Sequence, residues 1–226
     1  MIQFLDIHSH NPSQAIDTLI LRNWRWSTDQ SRPEGYFSVG LHPWDIKDDH
    51  FPDREAFMDA LLNENCLALG ESGVDRMAET SLSDQEHLFF LQCGMAEQAK
   101  KPVIIHCVKA FDRLLKIRKE FQPEVPWIVH GFNKNIHLAE QLLEEGFYLS
   151  LGYAVLRYPH IKEMLSDLPL DRLFFETDDV ETLSVRGVYR EVSDICGLSM
   201  DLLQEQIRRN FNAVFGYELT TLAGKN

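Results

Sequence analysis

Cysteine is scarce in this chain. There are four among 226 residues, and none forms a C-x-x-C pair. That spacing argues against a thiolate metal centre and against a dithiol redox motif. Cys93 and Cys196 lie in helical patterns, and Cys66 and Cys107 flank strand-like runs. All four read as free, partly buried thiols of a reducing compartment. Long apolar runs are absent as well: none approaches the roughly 18 residues that suggest a membrane span. Met1–Asp6 has no basic leader region and passes directly into a strand-like run. A cytoplasmic protein that does not engage a membrane is expected. No linker, low-complexity stretch or change of composition divides the chain, so residues 1–226 read as a single domain.

Positive charge is also short, with Lys+Arg 22 against Asp+Glu 35 and a net charge of −13. High-affinity, sequence-independent binding of nucleic acid depends on neutralising many phosphates, so no stable grip of that kind is expected. Nucleic acid remains open as a substrate, met through bound cations and a few local basic groups. The expected state is a monomer or weak oligomer.

What is present is an alternation of short apolar runs with amphipathic stretches. Phe37–Gly40, Cys66–Leu69, Val103–Ile105, Trp127–Val129, Phe147–Leu151 and Leu173–Phe175 read as buried strands. Helices are expected from Asp53 to Leu62, from Ser83 with capping-box spacing to Glu86, and from Phe111 to Phe121. Others are expected around Ile136–Leu143, closed by Gly146, and around Ile161–Leu168. Two more end the chain, the second from about Ser199 to Phe215. Phe4-Leu5 and Ile16–Leu21 bring the strands to eight. The pattern predicts an α/β fold, a (β/α)8 TIM barrel. The early part is abbreviated: Asn23–Gly35 has no helical stripe and reads as a loop in place of a helix.

Six side chains that bind metals well sit at the ends of these runs. They are His8 and His10 in Asp6-Ile7-His8-Ser9-His10, Glu71 in Gly70-Glu71-Ser72-Gly73, His106, His130, and Asp178 after Glu176-Thr177. His8 and His10 are two apart, so on a strand they share one face with Asp6. Any one of these residues alone has a bland explanation, such as a satisfied histidine or a salt-bridged acid in a turn. Together, at the strand ends where barrel enzymes place their chemistry, four imidazoles and two carboxylates suit a pair of divalent metals.

The ordered motifs resemble those of the TatD family of metal-dependent hydrolases. They are Asp6-Ile7-His8-Ser9-His10, Gly40-Leu41-His42-Pro43, Gly70-Glu71-Ser72-Gly73-Val74-Asp75, Pro102–His106, His130-Gly131-Phe132, Glu176-Thr177-Asp178 and the Asn210–Phe215 segment. Gln85 stands where the family often has a glutamine at a helix start. The resemblance implies one ion on His8, His10, Glu71 and Asp178, and a second on Glu71, His106 and His130. It also implies a hydrolase, often a deoxyribonuclease. Departures lie at the rim: Arg76 where an aromatic is usual, Gly131 where Cys is usual, Val108 where a basic residue is common, and no proline soon after Asp178.

The expected reaction is hydrolysis by a metal-activated water, with Asp178 as general base. His42, Arg76 and Lys109 are candidate substrate contacts. A phosphodiester at a DNA end is the leading substrate. The alternatives are an amide, ester or lactone in a small molecule, or metal binding without turnover. Imidazole-rich ligation admits Zn²⁺, Mn²⁺, Ni²⁺ or Co²⁺, and the carboxylates leave Mg²⁺ open.

Overall fold

The computed structural model of the chain describes residues 2–11, 16–29, 31–47 and 50–217. Eight strands run in chain order through one sheet. They are β1 (Phe4–Ser9), β2 (Thr18–Arg25), β3 (Phe37–Gly40), β4 (Cys66–Asp75), β5 (Val103–Val108), β6 (Trp127–Val129), β7 (Tyr148–Leu151) and β8 (Leu173–Phe175). The helices are α1 (Arg54–Leu62), α2 (Leu82–Ala99), α3 (Phe111–Phe121), α4 (Ile136–Glu144), α5 (Tyr153–Arg157), α6 (Pro159–Leu165), α7 (Val185–Cys196) and α8 (Met200–Phe215). Chain-order strands in parallel register, alternating with helices, define the (β/α)8 barrel class. Among the described residues no helix follows β1 or β2, which is the abbreviation expected from the sequence.

Two compact units are distinguished, Met1–Leu21 with Gly131–Asn226, and Arg22–His130. In the second unit, β2 to β6 pair in parallel, strand to next strand. Residues of β3, β4 and β6 are buried along their whole length, as expected for a parallel sheet covered on both faces. Phe89 packs against Trp127 with ring centroids 5.4 Å apart, joining α2 to β6. In the first unit β7 pairs with β8, and β1 meets the chain just beyond β8 through a parallel bridge from Ser9 to Asp178. Tyr189 of α7 locks that junction. Its hydroxyl accepts from Leu5 N at 3.2 Å, and its ring meets Phe4 and Phe175 edge-on.

Several boundaries differ from the sequence reading. β2 begins at Thr18 and extends to Arg25, so Asn23–Arg25, read as loop, is strand. Its register against Phe37–Gly40 carries the pairing forward. β4 and β5 run on to Asp75 and Val108, past the polar residues that ended the apolar signal. The α2 cap is Ser81, not Ser83: the Ser81 side chain accepts from Asp84 N. Lys100 follows the last turn of α2. It caps the helix in the left-handed region, and the Lys101 ammonium donates to the carbonyls of Leu61, Asn63 and Cys66. The segment before Leu168 is two helices, because Pro159 has no N–H to continue α5.

Candidate metal centre

In the second unit three imidazoles gather around one carboxylate oxygen. Glu71 Oε1 lies 2.7 Å from His106 Nδ1, 2.8 Å from His130 Nε2 and 3.3 Å from His42 Nε2. Backbone geometry brings this about. The β4–β5 register shifts between Leu69 and Ser72, around Gly70-Glu71. Gly73 lets the two strands approach: a Cβ there would stand 2.0 Å from His106 O, at φ +153. Gly40 does the same for β3, where a Cβ would stand 2.5 Å from Glu71 O.

Asn23 then fixes Glu71 in place. Its side-chain oxygen accepts from Glu71 N at 2.9 Å, and its amide donates to Oε2 at 3.3 Å. Sequence reading did not select Asn23. The signal was available, since Leu19, Leu21 and Asn23 alternate as the buried positions of β2.

His106 is held from its other side. Its Nε2 lies 3.1 Å from Asp75 Oδ2. Asp75 is fully buried, which alone would raise its pKa. The bonds from His106, Met77 N and Trp44 outweigh burial and hold it down at about 2. For His106, burial lowers the pKa, but the Asp75 and Glu71 carboxylates more than offset that and raise it. Burial lowers the pKa of His42, partly offset by Glu71. Gln85 anchors Asp75 by accepting from its N–H at 2.7 Å and donating to the carbonyls of Asp75 and Thr80.

In the first unit, Asp178 Oδ1 lies 3.6 Å from His8 Nε2 and 3.5 Å from His10 Nε2. The His8 and His10 rings stand edge-on, 5.1 Å apart. β8 ends at Phe175, the limit read from the sequence, and Asp178 follows in the turn just beyond it. It sits in the left-handed region at φ 53, pinned between its own N–H on His8 O at 2.9 Å and the N–H of His10 on its carbonyl at 3.0 Å. Asp is among the few residues that tolerate this conformation. Thr177 ties the same turn to Asp6, donating from N at 3.1 Å and Oγ1 at 2.7 Å. Burial pushes the Asp6 carboxyl up to about 7, against the Thr177 bonds that lower it. Glu176 is buried and accepts from Gly131 N at 2.7 Å.

Both clusters offer the donor types of a divalent-ion site; the first also has the spacing of one, whereas the 2.7 and 2.8 Å contacts of Glu71 Oε1 are hydrogen-bond lengths. Ligand atoms bound at about 2.0–2.1 Å in a tetrahedral shell lie about 3.4 Å apart. The 3.5 and 3.6 Å separations of the His8, His10 and Asp178 atoms match that spacing. In each of the sets His8–His10–Asp178 and His42–Glu71–His106, the donor atoms lie within 4.8 Å of one another. Of the rim candidates, His42 joins the Glu71 cluster itself. Arg76 is engaged by Asp112 through two bonds of 2.8 Å. Lys109, at φ 52, reaches Met77 Sδ at 3.5 Å.

Parallel strands that end in clustered imidazoles and carboxylates define a class of barrel protein built to hold divalent metals. The chain belongs to the family described as TatD related DNase, whose model matches residues 13–216. It is 33% identical over 147 residues to an uncharacterized metal-dependent hydrolase, YabD, of Bacillus subtilis, covering 63% of this chain and 58% of YabD. It is 28% identical over 154 residues to the 3'-5' ssDNA/RNA exonuclease TatD of Citrobacter rodentium, covering 66% of this chain and 59% of that protein. The chain thus spans less than two thirds of either relative's length. Among solved structures, the TatD homolog YJJV of Escherichia coli aligns with a TM-score of 0.70 at 22% identity, covering 80% of this chain and 77% of that one. That likeness supports the barrel fold. No described helix is long and apolar enough to cross a membrane.

Proposed function

We propose that residues 1–226 act as one metal-dependent hydrolase domain that cleaves phosphodiesters at the ends of single-stranded nucleic acid. Two divalent ions are assigned, one to His8, His10 and Asp178, the other to Glu71, His106 and His130. The observation that carries this is the gathering of imidazoles around Glu71 Oε1, at 2.7, 2.8 and 3.3 Å. Family membership and the exonuclease named among the relatives support the substrate. Four free thiols support a reducing, cytoplasmic setting.

Bound divalent ions would lower the pKa of water toward neutrality and stabilise charge on the phosphoryl oxygens. The remaining chemistry belongs to the chain. Asp178, 36% exposed and the most open of its cluster, accepts the water's proton on its carboxylate. Asp75 holds the His106 ring in orientation through Nε2. Asn23 keeps Glu71 Oε2 occupied, so that Oε1 faces the imidazoles.

The test uses purified protein reloaded separately with Mg²⁺, Mn²⁺, Zn²⁺, Co²⁺ or Ni²⁺. End-labelled oligonucleotides are compared with simple carboxylic esters and lactones. Stepwise shortening of single strands is expected, faster than cleavage within duplex. Turnover confined to esters or lactones would replace the nuclease reading. Metal uptake with no turnover on any of them would make the protein a metal binder.

A further inference from the structure

Beside the Glu71 cluster, the second unit carries an exposed apolar shelf that core packing does not require. Trp44 is 60% exposed and Met77 is 63% exposed. Single exposed apolar side chains are ordinary and usually turn freely. These two hang from one buried carboxylate. Asp75 Oδ2 accepts from Trp44 Nε1 at 2.6 Å, and Asp75 Oδ1 accepts from Met77 N at 2.7 Å. The same Oδ2 faces His106 Nε2 at 3.1 Å.

The indole stands edge-on to His42, with centroids 5.2 Å apart, and lies 6.1 Å from His106. Lys109 Nζ reaches Met77 Sδ at 3.5 Å, which sets a cation at the edge of the shelf. An indole N–H facing water needs no buried anion to satisfy it. Committing Asp75 to it fixes the ring's angle and leaves an aromatic face open beside two imidazoles of the metal cluster.

We propose that Trp44 is a stacking platform for an unpaired nucleobase of the substrate strand, and that it discriminates base-bearing ends from bare phosphodiesters. The proposal rests on the nuclease reading above. An aromatic face accepts any base, because every base has a π-face, so the site confers a preference for single strands without sequence specificity. Lys109 then lies where the backbone of the same nucleotide can meet a positive charge.

The test compares a single-stranded oligonucleotide with the same strand carrying one abasic tetrahydrofuran residue near its cleaved end. Wild type, Trp44→Phe and Trp44→Leu are assayed in the metal-loaded protein. The readout is the ratio of kcat/KM for the two strands. Binding is followed separately, by anisotropy of fluorescein-labelled strands on metal-free protein.

Wild type should prefer the intact strand by about tenfold to a hundredfold, the range of one stacked base. Trp44→Leu should bring that ratio close to one. Trp44→Phe, which keeps an aromatic face but lacks the N–H that sets its angle, should give an intermediate ratio. An unchanged ratio in Trp44→Leu overturns the proposal. So does an equal loss in both variants, which would assign the effect to the bond to Asp75. If wild type binds strands but does not cleave them, the nuclease reading fails, and the anisotropy ratio decides the stacking role by the same criteria. If strands neither bind nor are cleaved, both fail.

Discussion

Replacing Asp178 separates its chemistry from its conformation. The residue is held at φ 53 by its N–H on His8 O and its carbonyl on His10 N. Asn tolerates that left-handed geometry about as well as Asp, whereas Ala pays about 1–2 kcal/mol for it. Asp178→Asn also keeps an oxygen near His8 and His10 but removes the charge and the proton acceptor. Loss of a positioned general base costs about 10²–10⁴-fold in turnover, and weaker metal binding adds to that. In chelator, Asp178→Asn should therefore unfold near the wild-type temperature. Asp178→Ala should unfold about 2–8 °C lower than the Asn variant, at the 2–4 °C per kcal/mol expected for a chain of this size. Turnover on end-labelled oligonucleotide, metal content and thermal unfolding are to be measured on the same preparations. Near-normal turnover of Asp178→Asn with metal bound would refute the base assignment and direct attention to Glu176. Coincident unfolding of the Asn and Ala variants would refute the conformational reasoning.

Two further perturbations test the framework. Gly73→Ala places a Cβ 2.0 Å from His106 O at a φ that disfavours side chains; it should cost at least about 3 kcal/mol and abolish metal uptake at the Glu71 cluster, and an unchanged melting curve would contradict the close approach of β4 and β5. The Asp6 pKa of about 7 in the fold, against an ordinary 3.8, predicts a penalty that is absent well below pH 3.8, grows as pH rises, and levels off above pH 7 at about 4 kcal/mol. The sign follows because only the unfolded chain ionises Asp6 across that window. Metal-free wild type should lose stability from pH 4 to 7, and Asp6→Asn should flatten that slope; equal slopes by denaturant titration would refute it.

Much of the candidate cluster was legible because metal chemistry draws on few residue types. His8-Ser9-His10 announces itself by strand periodicity, and His130 by the apolar run Trp127–Val129 before it. Strand limits were harder to read. β4 and β5 continue through Glu71–Asp75 and His106–Val108, where polar side chains interrupt the apolar signal yet remain buried by their partners. Asn23 was obscured for the same reason: its burial depends on Glu71, 48 positions away. Asp75 was visible in its motif, but its grip on His106, Trp44 and Met77 is tertiary and leaves no local pattern. The left-handed turn at Asp178 arises from pairing with β1, which sequence distance conceals.

The most direct measurement is metal stoichiometry with turnover on one sample. Chelator-stripped protein is reloaded with Mn²⁺ or Zn²⁺, freed of excess ion, and divided between elemental analysis and an oligonucleotide cleavage assay. Two ions per chain are expected, with cleavage rising as they fill. His8→Ala should retain the ion at the Glu71 cluster, and Glu71→Gln should lose at least that one, both with cleavage lost. Protein that takes up no more than trace metal at any loading, or that cleaves equally well when stripped, would contradict the account.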